Sequence, residues 1–113
     1  MVMSEFKTKD SGKRVTFATG MNRDVSSDKP RYDLIYTPLL LRWAELMGRG
    51  AVKYGERNWE KASTQEELNR FRESAFRHFM QWFDGESTED HAAAVIFNLG
   101  GAEMVKTKLH GRE

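Results

Sequence analysis

RHFMQWFDGESTEDHAAAVIFN, residues 77–98, is the stretch whose reading decides the fold. It contains two strongly helical segments separated by Gly85, and a glycine here reads as a helix stop. The corner between them holds two of the chain's three histidines, His78 and His91, beside Glu86, Glu89 and Asp90. Hard divalent cations take oxygen ligands, so acids and imidazoles at one corner suggest a site for such an ion. The same letters also fit a plainer reading. Ser87-x-x-Asp90 is an ordinary helix start, with acids favoured by the macrodipole.

Upstream, Leu68, Phe71, Ala75, Phe79 and Trp82 recur at helical spacing, and His78 shares their face. Both Ser63-x-x-Glu66 and Thr64-x-x-Glu67 read as capping boxes, so this helix starts at Ser63 or Thr64. Glu73 and Arg77 are spaced to pair along its flank. Downstream, a helix is predicted from Ser87 or Thr88 to about Lys108. Its stripe is Val95, Ala102, Val105 and Leu109, and His91 and Asn98 lie in the same seam. A buried polar group left unpaired costs about 1–3 kcal/mol, so these inward residues need partners. Antiparallel packing brings His78 and His91 together near Gly85.

A further helix is predicted earlier. Thr37 is a candidate N-cap, Pro38 suits the first turn, and Gly55 suits the end. Leu40, Trp43, Ala44, Met47 and Ala51 form its stripe. Residues 1–18 read as a flexible arm and residues 19–113 as the folded domain. The segment from Thr19 to Asp33 is rich in turn formers and carries Arg23, Lys29 and Arg31. The fold class is all-α: about three main helices after an extended N-terminal arm. Three helices leave one apolar face partly uncovered, which predicts completion by oligomerisation, as a homodimer or homotetramer.

Composition sets the remaining bounds. Eighteen Lys and Arg against 17 Asp and Glu give a net charge of +1, which does not point to a polyanionic partner. There is no cysteine, so disulfides and thiolate metal sites are excluded. No apolar run approaches the roughly 18 residues of a membrane span. MVMSEFKTKD has no apolar signal core, and the expected location is the cytoplasm. Phosphate-binding G-x-x-x-x-G-K-[ST] and G-x-G-x-x-G loops are missing, as is H-E-x-x-H. The order at 90–91 is Asp-His, not the His-Asp of HD-type phosphohydrolases.

The cationic residues gather at segment ends. Lys29 and Arg31 precede the first helix, Lys53 and Arg57 flank its end, and Arg77 precedes His78. Singly each reads as surface charge. Together they suit a polyphosphate, which Arg can contact through two N–H groups at once. Tyr54 or Trp59 offers a ring for a base to stack on, or for packing.

Four runs carry a resemblance: TGMNRD…DKPRYDLI, A-E-L-x-x-x-G-A-x-K-Y-G-x-R-N-W-E-K, S-A-x-R-H and E-D-H-x-A-A-x-x-x-N. They resemble the phage and bacterial dATP/dGTP pyrophosphohydrolase (MazZ-type) branch of the MazG-like all-α nucleoside triphosphate pyrophosphohydrolases. The resemblance spans roughly residues 19–104, and K-Y-G-x-R-N-W-E at 53–60 is its most specific part. It implies a helical bundle, Mg²⁺ or Mn²⁺ dependence, and cleavage of purine dNTPs to the monophosphate and pyrophosphate. Relatives of the MazG type carry E-x-x-E on one helix and E-x-x-D on the next. Here the first is replaced by Glu73 and His78, and Glu86-x-x-Glu89-Asp90 approximates the second. On this reading Glu86, Glu89, Asp90 and His78 are the candidate metal ligands, with Glu45 a further carboxylate. Glu89, Asp90 and His78 are the candidate catalytic residues. Lys29, Arg31, Lys53 and Arg77 would neutralise the triphosphate, while Asn58, Trp59 and Asn98 would meet base or sugar. The competing expectation is a small helical binding module. It calls for a basic helix face, which the alternating charges of these helices do not offer, so no nucleic acid is expected.

Overall fold

The computed structural model describes residues 6–25 and 28–111. Residues 1–5 of the predicted arm, residues 26 and 27 of the turn-rich segment, and residues 112–113 lie outside them. The chain divides into two compact units, Met1–Leu34 and Ile35–Glu113.

The first unit contains a hairpin where an irregular arm and loop are predicted. Strands β1 (Arg14–Thr16) and β2 (Asn22–Asp24) pair antiparallel, with Val15 opposite Arg23. Val15 and Thr16 are β-branched and suit a strand. Gly20, at φ 91°, donates its N–H to Phe17 O at 2.8 Å and closes the turn. Asp24 anchors the base of the hairpin, accepting from the Ser11 N–H at 3.0 Å.

The second unit is three helices: α1 (Thr37–Tyr54), α2 (Gln65–Phe83) and α3 (His91–His110). Thr37 is not the cap of α1 but its first helical residue. Tyr36 occupies the cap position and supplies no side-chain bond, while Pro38 sits in the first turn as expected. Gly55 ends α1 at φ 96°, its N–H on Ala51 O at 2.9 Å. A single 3-10 turn, Asn58–Lys61, follows. Lys108 of α3 donates from Nζ to Ala62 O at 2.8 Å and pins this turn down.

Of the two predicted capping boxes, Thr64 and Glu67 form the one used. Thr64 Oγ1 accepts from Glu67 N at 3.2 Å, and the Glu67 carboxylate accepts from Thr64 N at 3.1 Å. The exit of α2 is equally defined. Gly85, at φ 83°, donates to Trp82 O at 3.1 Å and Glu86 N to Gln81 O at 3.0 Å, a Schellman-type ending.

Helix α3 starts later than predicted. Its N-cap is Asp90, whose side chain accepts from Ala93 N at 3.1 Å. Ser87 and Thr88 stay outside because the Glu86 carboxylate clasps Thr88 N–H at 2.7 Å and holds a turn there.

Helices α2 and α3 run antiparallel, with Phe71 against Gly101 at one level and His78 against His91 at another. The core is Ala62, Leu68, Ala102 and Val105, with Phe71 and Met104 packed on it. It sits at the end away from Gly85. The stripe predicted for α2 is therefore buried only in its first half: Phe79 and Trp82 are 46% and 54% exposed. Leu40 of α1 is likewise exposed, and α1 buries no residue fully. No helix among the described residues is long and apolar enough to cross a membrane.

Candidate active site

Glu86 is the organising residue of the corner. The Schellman ending at Gly85 sets its backbone, and Thr88 fixes its carboxylate. One oxygen accepts from both the N–H and the hydroxyl of Thr88. The other meets Nε2 of His91, a ring only 2% exposed. His91 Nδ1 lies 2.8 Å from Nδ1 of His78 on α2. At the far edge of His78, a guanidinium nitrogen of Arg77 stands 3.5 Å from Nε2. The Thr88 hydroxyl, then His91 and the Thr88 N–H, pull the Glu86 carboxyl down to about 2. Burial lowers the His78 pKa, with Arg77 and His91 acting the same way and Glu89 opposing.

Asp90 has two duties on the other side of the corner. It caps α3, and it accepts a two-pronged bond from Arg42 of α1, both N–O distances 2.8 Å. Arg42 is the main reason its carboxyl falls to about 2, and the Ala93 N–H adds to it. A polar cavity of about 390 Å3 opens here, lined by Arg42, Glu86, Thr88, Glu89, Asp90 and His91.

These facts decide how well the predicted ligand set fits a divalent ion. Glu86, Glu89 and Asp90 do line one cavity, and their oxygen chemistry suits Mg²⁺ or Mn²⁺. Yet no three His, Asp or Glu side chains among the described residues gather closely enough to hold one ion. Glu86 is taken by Thr88 and His91, Asp90 by Arg42 and the Ala93 N–H, and His78 by His91. The set Glu86, Glu89, Asp90 and His78 is thus no ready-made metal shell in this chain. Glu86 and Asp90, four residues apart, aim their carboxylates at different partners.

The other predicted residues divide. Asn58 and Trp59 line a second, mostly apolar cavity of about 430 Å3, with Met47, Ala51, Tyr54 and Phe97. Trp59 stands edge-on to Phe97, centroids 6.4 Å apart. Lys53 is not among its lining residues; its ammonium lies 5.1 Å from the centre of the Tyr54 ring. Asn98 is buried as expected, but its Nδ2 donates to Ala94 O at 2.8 Å, one turn back on its own helix. Glu45 and Glu73 are exposed, and Glu73 forms no ion pair with Arg77 among the described residues. Lys29 and Arg31 belong to the first unit, where Arg31 grips Asp33 at 2.7 and 2.8 Å. Sequence reasoning missed Arg42 and Thr88. The signal for Thr88 was present, since a hydroxyl two residues after an acid favours a local turn. Arg42 had none, because its partner is 48 residues away.

Three helices with an acid–imidazole corner make this an all-α, MazG-like bundle. Within that class, the model of the dATP/dGTP diphosphohydrolase, N-terminal, family matches residues 19–110, and the chain belongs to that family. None of the curated proteins and none of the solved structures compared with it matches.

Proposed function

We propose that the chain hydrolyses purine deoxynucleoside triphosphates between the α and β phosphates, releasing the monophosphate and pyrophosphate. The observation that carries this beyond family membership is the placement of two unlike cavities along one helix. Arg42 of α1 lines the polar cavity, and Leu46, Met47, Gly50, Ala51 and Tyr54 of the same helix line the aromatic one. Measured from Arg42, the interval runs from four residues at Leu46 to twelve at Tyr54, about 6 to about 18 Å at a rise of about 1.5 Å per residue. A nucleotide laid along α1 spans that interval, with its base against Trp59 and its phosphates toward the corner.

The divalent cation enters as part of the substrate, a Mg²⁺ or Mn²⁺ complex of the dNTP. Glu86, Glu89 and Asp90 around one cavity would repel a bare triphosphate, while its metal complex carries much less negative charge. Arg42, which lines the cavity, is the cation that meets the phosphates at this corner, with Arg77 at the edge of His78 outside the lining. The reaction belongs in the cytoplasm, where dNTPs are made and used. We also propose a homo-oligomer. Phe76, Phe79, Met80 and Leu99 line an open apolar groove between α2 and α3, an arrangement more typical of interfaces than of free surface. Sedimentation equilibrium is expected to give a dimer or tetramer, and a monomer at micromolar concentration would remove that part.

The primary test is turnover. Purified protein with dATP or dGTP and Mg²⁺ or Mn²⁺ is expected to release pyrophosphate. No release with either metal removes the enzyme reading, and inorganic phosphate in its place moves the cleaved bond. Trp59→Ala then probes the base site. Stacking of a base on an aromatic ring contributes about 1–3 kcal/mol, so KM is expected to rise roughly tenfold or more with a smaller change in kcat. An unchanged KM in a folded variant puts the base elsewhere.

A further inference from the structure

We propose that Glu56 makes the aromatic cavity a guanine site, its carboxylate accepting from N1–H and the 2-amino group of the base while the Asn58 amide donates to O6. This rests on the reading of that cavity as the base site, and it goes further by separating the two purines.

The chain brings both residues to the cavity through one turn. Helix α1 ends at Gly55, at φ 96°. The Asn58 N–H donates to Gly55 O at 3.3 Å and closes a tight turn with Glu56 and Arg57 at its tip. Arg57 sits at φ 60°, the only non-glycine residue at positive φ among the described residues. Such backbone persists where its surroundings impose it, and it gathers at ligand clamps. Glu56, Arg57, Asn58 and Trp59 then follow one another along the wall of the cavity.

The charges on this wall are not equivalent. Arg57 is engaged with Glu60, the N–O distance 2.7 Å. Glu56 is the only acidic residue lining the cavity, and it has no ion-pair partner among the described residues. An ionised carboxylate offers acceptors only, and an amide offers two N–H donors. Guanine presents two adjacent donors, N1–H and the 2-amino group, beside the O6 acceptor. The two carboxylate oxygens suit the donors, and an amide N–H next to them suits O6. Adenine has a lone pair at N1 and no 2-amino group. Against Glu56 its N1 stands acceptor to acceptor, and only the 6-amino group can donate. Most of the wall is apolar, so a polar group left without its partner there counts against binding in full.

Calorimetric titration with dGMP, dIMP and dAMP, with no metal added, compares the bases alone, because the three share sugar and phosphate. The hypoxanthine of dIMP keeps N1–H and O6 and lacks only the 2-amino group. The expected order is dGMP tightest, dIMP between, dAMP weakest. A good bidentate pair discriminates between bases by roughly fivefold to 150-fold, and dGMP is expected to exceed dAMP by a factor in that range. Glu56→Gln exchanges one acceptor for an NH2 donor, which opposes guanine N1–H and suits adenine N1. The preference is expected to vanish or invert in that variant. Its circular dichroism should match wild type, because Glu56 is exposed. Equal affinities in wild type, a preference for dAMP, or binding of neither at millimolar concentration overturns the proposal. A preference for dGMP that survives Glu56→Gln in a folded protein overturns it as well. Turnover of a dGTP and dATP mixture with Mg²⁺ separates the two readings. Equal consumption of both keeps the hydrolase and overturns the guanine site. Guanine-selective binding without release of pyrophosphate from either removes the hydrolase and leaves the guanine site standing.

Discussion

Gly101→Ala is expected to lose stability while Gly100→Ala, one residue earlier on the same helix, gains it. Both glycines lie inside α3, where glycine costs about 1 kcal/mol relative to alanine. Gly100 is exposed and a Cβ there meets nothing within 4 Å, so the substitution recovers about that amount. At Gly101 a Cβ would stand 2.6 and 2.7 Å from Cζ and Cδ1 of Phe71, with Cε1 closer still. Phe71 is edge-on to Phe97 at 6.0 Å and lines an open cavity of about 420 Å3, so either the ring swings into it and gives up its packing or the helices separate. Overpacking of this kind costs about 1–3 kcal/mol, enough to exceed the propensity gain and lower the urea midpoint. Phe71→Leu in the Gly101→Ala background should restore part of the loss, a coupling that distant sites do not show. Equal midpoints for the two glycine variants would mean that α2 and α3 do not approach this closely.

The same pair shows what was legible in the sequence. Helical periodicity and turn chemistry are local, so the three helices, the Thr64–Glu67 box and the Gly85 stop could be read directly. So could the inward set of His78, His91 and Asn98, since spacing alone fixes which face a residue occupies. Spacing does not say what covers that face. Phe79 and Trp82 have the right period for burial and are exposed, because the packed core lies at the other end of α2. The hairpin at 14–24 was unreadable for a different reason. Its strands are three residues each and almost wholly exposed, so no alternation of burial marks them. The cap of α3 turned on a competition: Thr88 was claimed by Glu86, which handed the role to Asp90. The partnership of Arg42 with Asp90 is tertiary and leaves no local trace. Nearness in sequence did place Glu86, Glu89 and Asp90 around one cavity, but it does not say that Glu86 is bonded to Thr88 and His91 and Asp90 to Arg42.

Asp90→Ala is expected to destabilise the chain by about 2 kcal/mol and Asp90→Asn by about half of that. The difference separates the two duties of this side chain. Asparagine caps a helix as well as aspartate does, so Asp90→Asn keeps the bond to Ala93 N and loses only the charge offered to Arg42. Loss of a cap costs about 1 kcal/mol. A partly exposed ion pair adds up to about 1 kcal/mol, and the Arg42 side chain is 44% exposed. Arg42→Met should therefore match Asp90→Asn, and the double variant should be no worse than either. Acid gives the independent check. The Asp90 carboxyl sits at about 2 in the folded chain against an ordinary 3.8. A carboxylate held below its unfolded value contributes stability that is complete above the unfolded pKa and disappears as pH falls through the folded one. The advantage of wild type over Asp90→Asn should thus be constant at neutral pH and shrink between about pH 4 and about pH 2. Glu86, also held at about 2, causes an acid loss that both proteins share. Urea midpoints across that range measure the gap between them. A gap that persists undiminished to about pH 2 would mean that the Arg42–Asp90 contact carries none of the stability of α3, and that the capping bond alone sets where this helix begins.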